Sequence, residues 1–480
     1  MLTRLRVKGF KNLRDVDLAF GPFTCIAGRN GVGKSNVFDA ITFLSDLASG
    51  PLVKAATRVR GAEDRIAGID ALFSRDADVQ QRRMEFIVEM VVPRAVVDDY
   101  DRRASPAATF LMYTLELRYE TLRSDSGKEQ LFIEREELVA KPSSDAINEI
   151  GFRPTKAWLK RHVLGPGNRR GPFIDTQPTR HGEPNIQLHG EGQGGRPTAV
   201  PARHSPQTVL SGVNASSYPT ALAARREMQS WRLLQLEPSA LRLADEMRGD
   251  TRVSATGRHL PNAVIRCQSE SEVTQRLAEL IPGIRGVHVD SDDKRQINTL
   301  QVTMKDRQAY AASALSDGTL RFLALAVLAS DPTSGGVTCL EEPENGIHPL
   351  RIPQMLSLVR SLADGSLDEP ADQGDVLRQV VINTHSPLVV AELDDDELLM
   401  AETLGTRLGE WVNFRPLPQT WRATGLPATR WVARGELETY LGAQAGAGRR
   451  SSAEKKQTVA QRFDVGGDEG WSQTKMFPAK

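Results

Sequence analysis

The sequence predicts an α/β protein: a core of buried strands and helices, an antiparallel β subdomain beside it, and an inserted α+β lobe. Three observations point there. A buried strand, FTCIA (23–27), runs through a glycine-rich loop into an amphipathic helix, SNVFDAITFLSDLAS. Three strand-like runs, MEFIVEMVV (84–92), FLMYTLELRYE (110–120) and LFIEREELVA (131–140), follow without a glycine-rich crossover, as antiparallel hairpins do. Late in the chain an apolar run, GVTCL (336–340), ends in two adjacent carboxylates.

Before the glycine-rich loop, residues 2–8 (LTRLRVK) and 15–20 (DVDLAF) alternate in polarity and read as short strands. Gly21-Pro22 makes the turn into the buried strand. In the helix after the loop, Val37, Ile41, Phe43, Leu44 and Leu47 form one apolar face. Residues 151–207 carry nine basic residues (Arg153, Lys156, Lys160, Arg161, Arg169, Arg170, Arg180, Arg196, Arg203) against three acids (Asp175, Glu183, Glu191). That stretch reads as a solvated loop with a hairpin, or as a surface that contacts phosphates. Residues 219–247 have helical periodicity broken at Pro238, and 272–280 (EVTQRLAEL) read as a helix. VHVD and LQVTMKD read as strands. The expected organisation is 1–140 with the phosphate loop and antiparallel sheet, 141–310 as the inserted lobe, 311–442 with the later motifs, and 443–480 as a flexible Gly/Ala/Ser/Lys-rich tail. Within the lobe, 151–207 is the basic loop and hairpin and 219–280 supply the helices.

Composition narrows the classes. The chain has 480 residues, 61 Lys plus Arg against 61 Asp plus Glu, and 40% hydrophobic residues. Zero net charge excludes a simple polycation that coats nucleic acid, though not a local basic groove. Three cysteines with no CxxC pair speak against a zinc site or disulfide framework, and Cys25 and Cys339 sit in apolar runs as core thiols. The start lacks the apolar core of a signal peptide, and the apolar stretch Phe322 to Ala329 is too short to span a bilayer. A cytoplasmic protein without membrane partners is expected.

The chemistry lies in four motifs. Gly28-Arg29-Asn30-Gly31-Val32-Gly33-Lys34-Ser35 fits GxxxxGK[ST] between a strand and a helix. Glycines let backbone N–H groups curl around phosphate oxygens, and the helix N-terminus adds partial positive charge. Lys34 is expected on the β- and γ-phosphates of a nucleotide and the Ser35 hydroxyl on Mg²⁺, with Gly28, Asn30, Gly31, Gly33 and Asn36 completing the cradle. In the strand ending Cys339-Leu340-Glu341-Glu342-Pro343, Glu341 is expected at the metal and Glu342 at the attacking water. Adjacent strand side chains point opposite ways, which suits two different roles. Ser316 and Gly318, in Leu315-Ser316-Asp317-Gly318-Thr319-Leu320-Arg321, open an apolar helix where a hydroxyl and backbone N–H groups can meet an anion. His385 follows the strand VVIN in THSP.

In this order GRNGVGKSN, LSDGTLR, CLEEPE and INTHSP resemble the ABC-type ATPases of chromosome maintenance, repair and phage defence, including the SMC, RecF and OLD-like proteins. The opening RLRVKGFKNLRDVDLAF is similar to their amino-terminal strands. The resemblance covers about residues 1–50 and 257–390 and implies an ABC-ATPase head. It implies a homodimer, or a higher oligomer, in which two heads sandwich ATP and Ser316/Gly318 of one contact the γ-phosphate held by Lys34 of the other. His385 is implied as the γ-phosphate sensor, Asn345 and Gly346 as the loop crossing the interface, and Arg60 as an arginine-loop residue touching phosphate. The family's metal acid is commonly Asp, and here it is Glu341. Motif does not locate the family's glutamine loop, for which Gln80 and Gln81 are candidates. No long coiled coil is expected between the lobes, and no Toprim nuclease domain is expected in the stretch after His385. Asp394-Asp395-Asp396 reads as a solvated turn, and GELETYLGA (435–443) resembles the end of stand-alone ATPases of the group. The implied activity is a Mg-ATP-hydrolysing switch that acts with a separately encoded effector (a nuclease or toxin) or with DNA, in anti-phage defence. The alternatives are a RecF-like repair ATPase and an ATP-dependent scaffold with slow turnover.

Overall fold

The computed structural model describes residues 1–60, 68–76, 79–80, 82–121, 129–165, 171–179, 183–191, 197–331, 334–363, 377–406 and 409–442. Residues 443–480, Gln81, and Arg169, Arg170, Arg180 and Arg196 of the basic stretch lie outside them.

The core is a six-stranded sheet in the order Arg232–Leu234, Gly336–Glu341, Arg378–Thr384, Phe23–Ala27, Leu398–Thr406, Gly409–Pro416. All neighbours pair in parallel except the last two strands, which form a hairpin. The central strands are buried along their length, so they read as continuous apolar runs rather than alternating ones. Their register aligns the functional ends. Glu341 pairs with Asn383, Asn383 with Ile26, and Thr384 with Ala27. The acidic strand, the histidine strand and the phosphate-loop strand thus finish together, at the carboxyl edge where parallel sheets bind ligands.

Helices flank this sheet. Lys34–Leu47 turns Phe38, Ile41 and Leu44 inward. Phe43, on the same helix, stacks against Phe10 and Phe86 of the antiparallel sheet. Asp317–Ala329 buries every residue from Phe322 to Ala329, since a helix apolar on all sides must be enclosed.

The second sheet has eight antiparallel strands in the order Thr198–Pro201, Pro184–Leu188, Ile174–Pro178, Glu129–Ala140, Phe110–Thr121, Arg83–Val91, Leu2–Phe10, Leu13–Ala19. The hairpins expected over 84–140 are present. The strands of the stretch 141–310 are shared among three sheets. Its hairpin and the strand Thr198–Pro201 extend the eight-stranded sheet. Arg232–Leu234 joins the core, and Ile284–Asp292 with Ile297–Met304 form a third sheet against the helix Glu270–Leu280. The helical reading of 219–247 also changes. The helix Pro219–Gln229 ends, and Arg232–Leu234 becomes a strand beside Gly336–Glu341. Three residues are too few to show a period, and their strand state comes from the neighbouring strand. Cys25 and Cys339 are buried, as expected.

Candidate functional site

The phosphate loop is shaped by two close approaches. A Cβ on Gly28 would come within 2.5 Å of the Ala401 carbonyl oxygen. Gly33, at φ 107°, faces the Asn12 side chain where a Cβ would stand. Only glycine adopts that backbone there without strain. Asn12 braces the loop: its amide donates to the Val32 carbonyl (3.0 Å), and its oxygen accepts from Asn36 (2.7 Å). Asn12 comes from the turn between the first two strands.

Lys34 is 6% exposed, and its ammonium donates to the carbonyls of Gly28 and Arg29, both at 2.8 Å. Burial lowers its pKa, with Glu342 and Glu344 opposing. The Ser35 hydroxyl accepts from Asn383 Nδ2 at 3.3 Å. Glu341 closes the strand, and Arg60 Nη1 donates to both its oxygens at 2.8 Å. Gln235 Nε2 donates to its second oxygen. Burial would push this carboxyl up, but hydrogen bonds from Gln235, Ser35 and Arg60 hold it below its ordinary value.

Glu342 leaves the strand at φ 43°, a left-handed conformation strained for a non-glycine residue. Its N–H donates to Asn383 Oδ1 at 3.0 Å. Its carboxylate meets His385 Nδ1 at 2.7 Å on one oxygen and Asn345 Nδ2 at 2.7 Å on the other. Strain of this kind commonly aims a functional side chain. Behind it Glu344 is buried and accepts from the Thr384 hydroxyl.

A cleft of about 750 Å³ joins these groups. Of the residues picked out by sequence, its walls include Asn30, Gly31, Gly33, Lys34, Ser35, Asn36, Glu341 and Glu342. Gly28 accepts from Lys34 at the loop's base, and His385 is held on Glu342. Ser316 and Gly318 are not in its walls. Ser316 is an exposed N-cap accepting from the Thr319 N–H at 3.3 Å, and a Cβ on Gly318 would lie 2.9 Å from the Gly346 oxygen. Arg60 is on Glu341, not out over the loop. Gln80 lies on the short strand Val79–Gln80. Asp394 caps a 3-10 turn over Asp395–Glu397, in keeping with the expected turn.

Sequence reasoning missed six residues of the cleft: Asn12, Gln235, Leu236, Glu237, Arg321 and Asn383. Gln235 follows the strand hidden inside a helix-like stretch, and recognising that strand was the signal needed. Asn383 lay in the quoted motif INTHSP.

Two family matches bear on this geometry. The family described as "RecF/RecN/SMC N terminal domain" matches residues 1–84. The family described as "AAA domain, putative AbiEii toxin, Type IV TA system" matches residues 217–391. The first span holds the phosphate loop, and the second holds Gln235, Ser316, both acids and His385. In its motif order and its matched families the chain resembles the ABC-type ATPases of the SMC/RecF/OLD-like group. Its fold is the P-loop head of that group, carrying a large antiparallel sheet. The chain is also similar to an OLD nuclease of Thermus scotoductus (strain ATCC 700910 / SA-01), 54% identical over 41 residues. That stretch is 8% of each chain, so the match spans under a tenth of the relative's length. Among solved structures, an Smc head bound to the C-winged helix domain of ScpA is 13% identical, with 87% of this chain and 98% of that chain covered at a TM-score of 0.45. The SMC head domain from Thermotoga maritima is 13% identical over 87% and 98% of the two chains, at a TM-score of 0.38. Among the described residues, no helix is long and apolar enough to cross a membrane.

Proposed function

We propose that the protein is a dimeric switch that hydrolyses Mg-ATP. The observation that carries this reading is the convergence of Lys34, Ser35, Glu341 and Glu342 in one cleft, with Glu342 held by His385. Lys34 would leave the carbonyls of Gly28 and Arg29 for the β- and γ-phosphates, and the loop N–H groups would cradle the same oxygens. The oxygen donors Ser35 and Glu341 suit a magnesium ion, with Gln235 beside them. That ion, when bound, neutralises charge on the phosphates. Glu342 orients the attacking water and takes its proton, while His385 and Asn345 fix both carboxylate oxygens. Ser316 stands exposed, Gly318 is half-buried, and both lie outside their own cleft, which favours their use on the cleft of a second copy.

The output would be control of a separately encoded nuclease or toxin, or of DNA, in anti-phage defence. The toxin and RecF/RecN/SMC wording of the matched families supports that range, which includes a RecF-like repair role. A specific observation favours a second reading, an ATP-dependent scaffold with slow turnover: Glu341 is already engaged by Arg60 and Gln235.

The test is ATP turnover by wild type and Glu342→Gln, each with and without linear duplex DNA. Turnover that vanishes in the variant supports the hydrolytic reading, and stimulation by DNA supports a DNA-responsive switch. Equal turnover in both proteins overturns the role of Glu342.

A further inference from the structure

Arg60 grips the acid that the nucleotide reading assigns to the metal. Its Nη1 lies 2.8 Å from both oxygens of Glu341, and its Nη2 donates to the Ser35 carbonyl at 3.2 Å. From behind, Nε donates to Asp39 at 2.7 Å. Asp39 is buried and also binds Lys11 Nζ at 2.7 Å, and the same ammonium donates to the Arg60 carbonyl at 2.7 Å. The anchor on Asp39 is therefore independent of Glu341. The guanidinium can release Glu341 and still keep one charge-assisted partner.

A cation and a guanidinium cannot share one carboxylate closely. A divalent ion a few ångströms from Arg60 is repelled by it and finds the acid's lone pairs in use. Glu341 also differs from aspartate by one methylene, which carries its carboxylate further toward the guanidinium.

We infer that Arg60 competes with the divalent cation for Glu341 and so sets the metal affinity of the cleft. It is a positioning residue acting through Glu341, and this inference rests on the reading of the cleft as a Mg-ATP site. Arg60 holds the acid until a metal displaces it, and Asp39 then retains the displaced side chain. Metal loading thus becomes a step separable from phosphate binding.

Two readouts test this without turnover. Mn²⁺ alone is titrated into nucleotide-free protein and followed by electron paramagnetic resonance. A fluorescent ATP analogue is titrated with Mg²⁺ and with EDTA, and the ratio of the two dissociation constants is taken. In Arg60→Gln, Mn²⁺ binds about tenfold tighter and the ratio rises by a similar factor, the scale of one lost charge-assisted hydrogen bond. Arg60→Lys, which keeps the charge and lacks the fork, falls between. Glu341→Asp, drawn back from the fork, shows much of the same gain with Arg60 in place. Mn²⁺ binding unchanged or weaker in both Arg60→Gln and Glu341→Asp overturns the competition. If no protein binds the analogue, the nucleotide reading fails, and the Mn²⁺ titration alone decides the competition.

Discussion

His385 Nδ1 lies 2.7 Å from Glu342 Oε1, and Asn345 holds the other oxygen of the same carboxylate at the same distance. The acid at the end of the strand is thus pinned from two sides before any substrate arrives. His385→Ala frees one side while leaving the phosphate loop untouched. Turnover is expected to fall about 10²-fold, within the range for a displaced general base, with affinity for a fluorescent ATP analogue changed less than threefold. Steady-state phosphate release beside analogue titration checks both figures, and a matching loss of affinity contradicts this role.

Because Ser316 and Gly318 lie outside the walls of their own cleft, the trans arrangement has a complementation signature. Lys34→Ala and Ser316→Arg should each be inactive alone. Mixed dimers then carry one intact composite site. Equal mixing with free exchange restores about a quarter of wild-type turnover, from half the dimers each with half their sites. No recovery after proven subunit exchange rules the trans arrangement out.

Gly33 faces Asn12 at φ 107°, so Gly33→Ala forces both a strained backbone and a collision with the loop's brace. Binding of the ATP analogue is expected to weaken at least about tenfold. Asn12→Ala removes the brace without the strain and should weaken binding by a smaller factor. Titrations of the two variants separate brace from backbone. Equal losses would contradict that division.

These two residues show what was legible in the sequence. The phosphate loop, the paired acids and the histidine motif are local strings flanked by a strand and a helix, and they could be read as such. Asn12 acts through residues 20 and 24 positions away, and Gln235 reaches an acid 106 positions on. Such contacts exist only once the sheets are assembled. The strand Arg232–Leu234 was hidden for a related reason. Its neighbour Gly336–Glu341 selects its conformation, against the helical pattern around it.

Phe43 joins the phosphate-loop helix to the antiparallel sheet, with ring centroids 5.7 Å from Phe10 and 5.9 Å from Phe86. All three rings are fully buried. Phe43→Ala is expected to cost about 3–5 kcal/mol of stability, through lost transfer energy and the cavity left behind. Thermal or urea unfolding measures it, and a loss under 1 kcal/mol would show that the site collapses around the gap.

Thiol chemistry supplies the pH prediction. Cys25 and Cys339 are buried, and Cys267 is partly exposed with its pKa pushed up to about 11 by burial, with Asp331 adding to the shift. The thiolate is the reactive form, so native protein at pH 8 should react with iodoacetamide slowly and at Cys267 alone. The rate should rise about tenfold per pH unit until pH approaches that value. Mass spectrometry of labelled peptides checks the site and slope. Rapid labelling of Cys25 or Cys339 in folded protein would contradict their burial.

The apposition of Gly318 and Gly346 has a mechanical consequence. The first turn of the long buried helix and the loop just beyond Glu342 touch backbone to backbone, with no side chain between them to absorb a shift. A displacement of either would press on the other. A head whose Ser316 docks on another molecule's nucleotide would therefore lean on the hinge of its own Glu342.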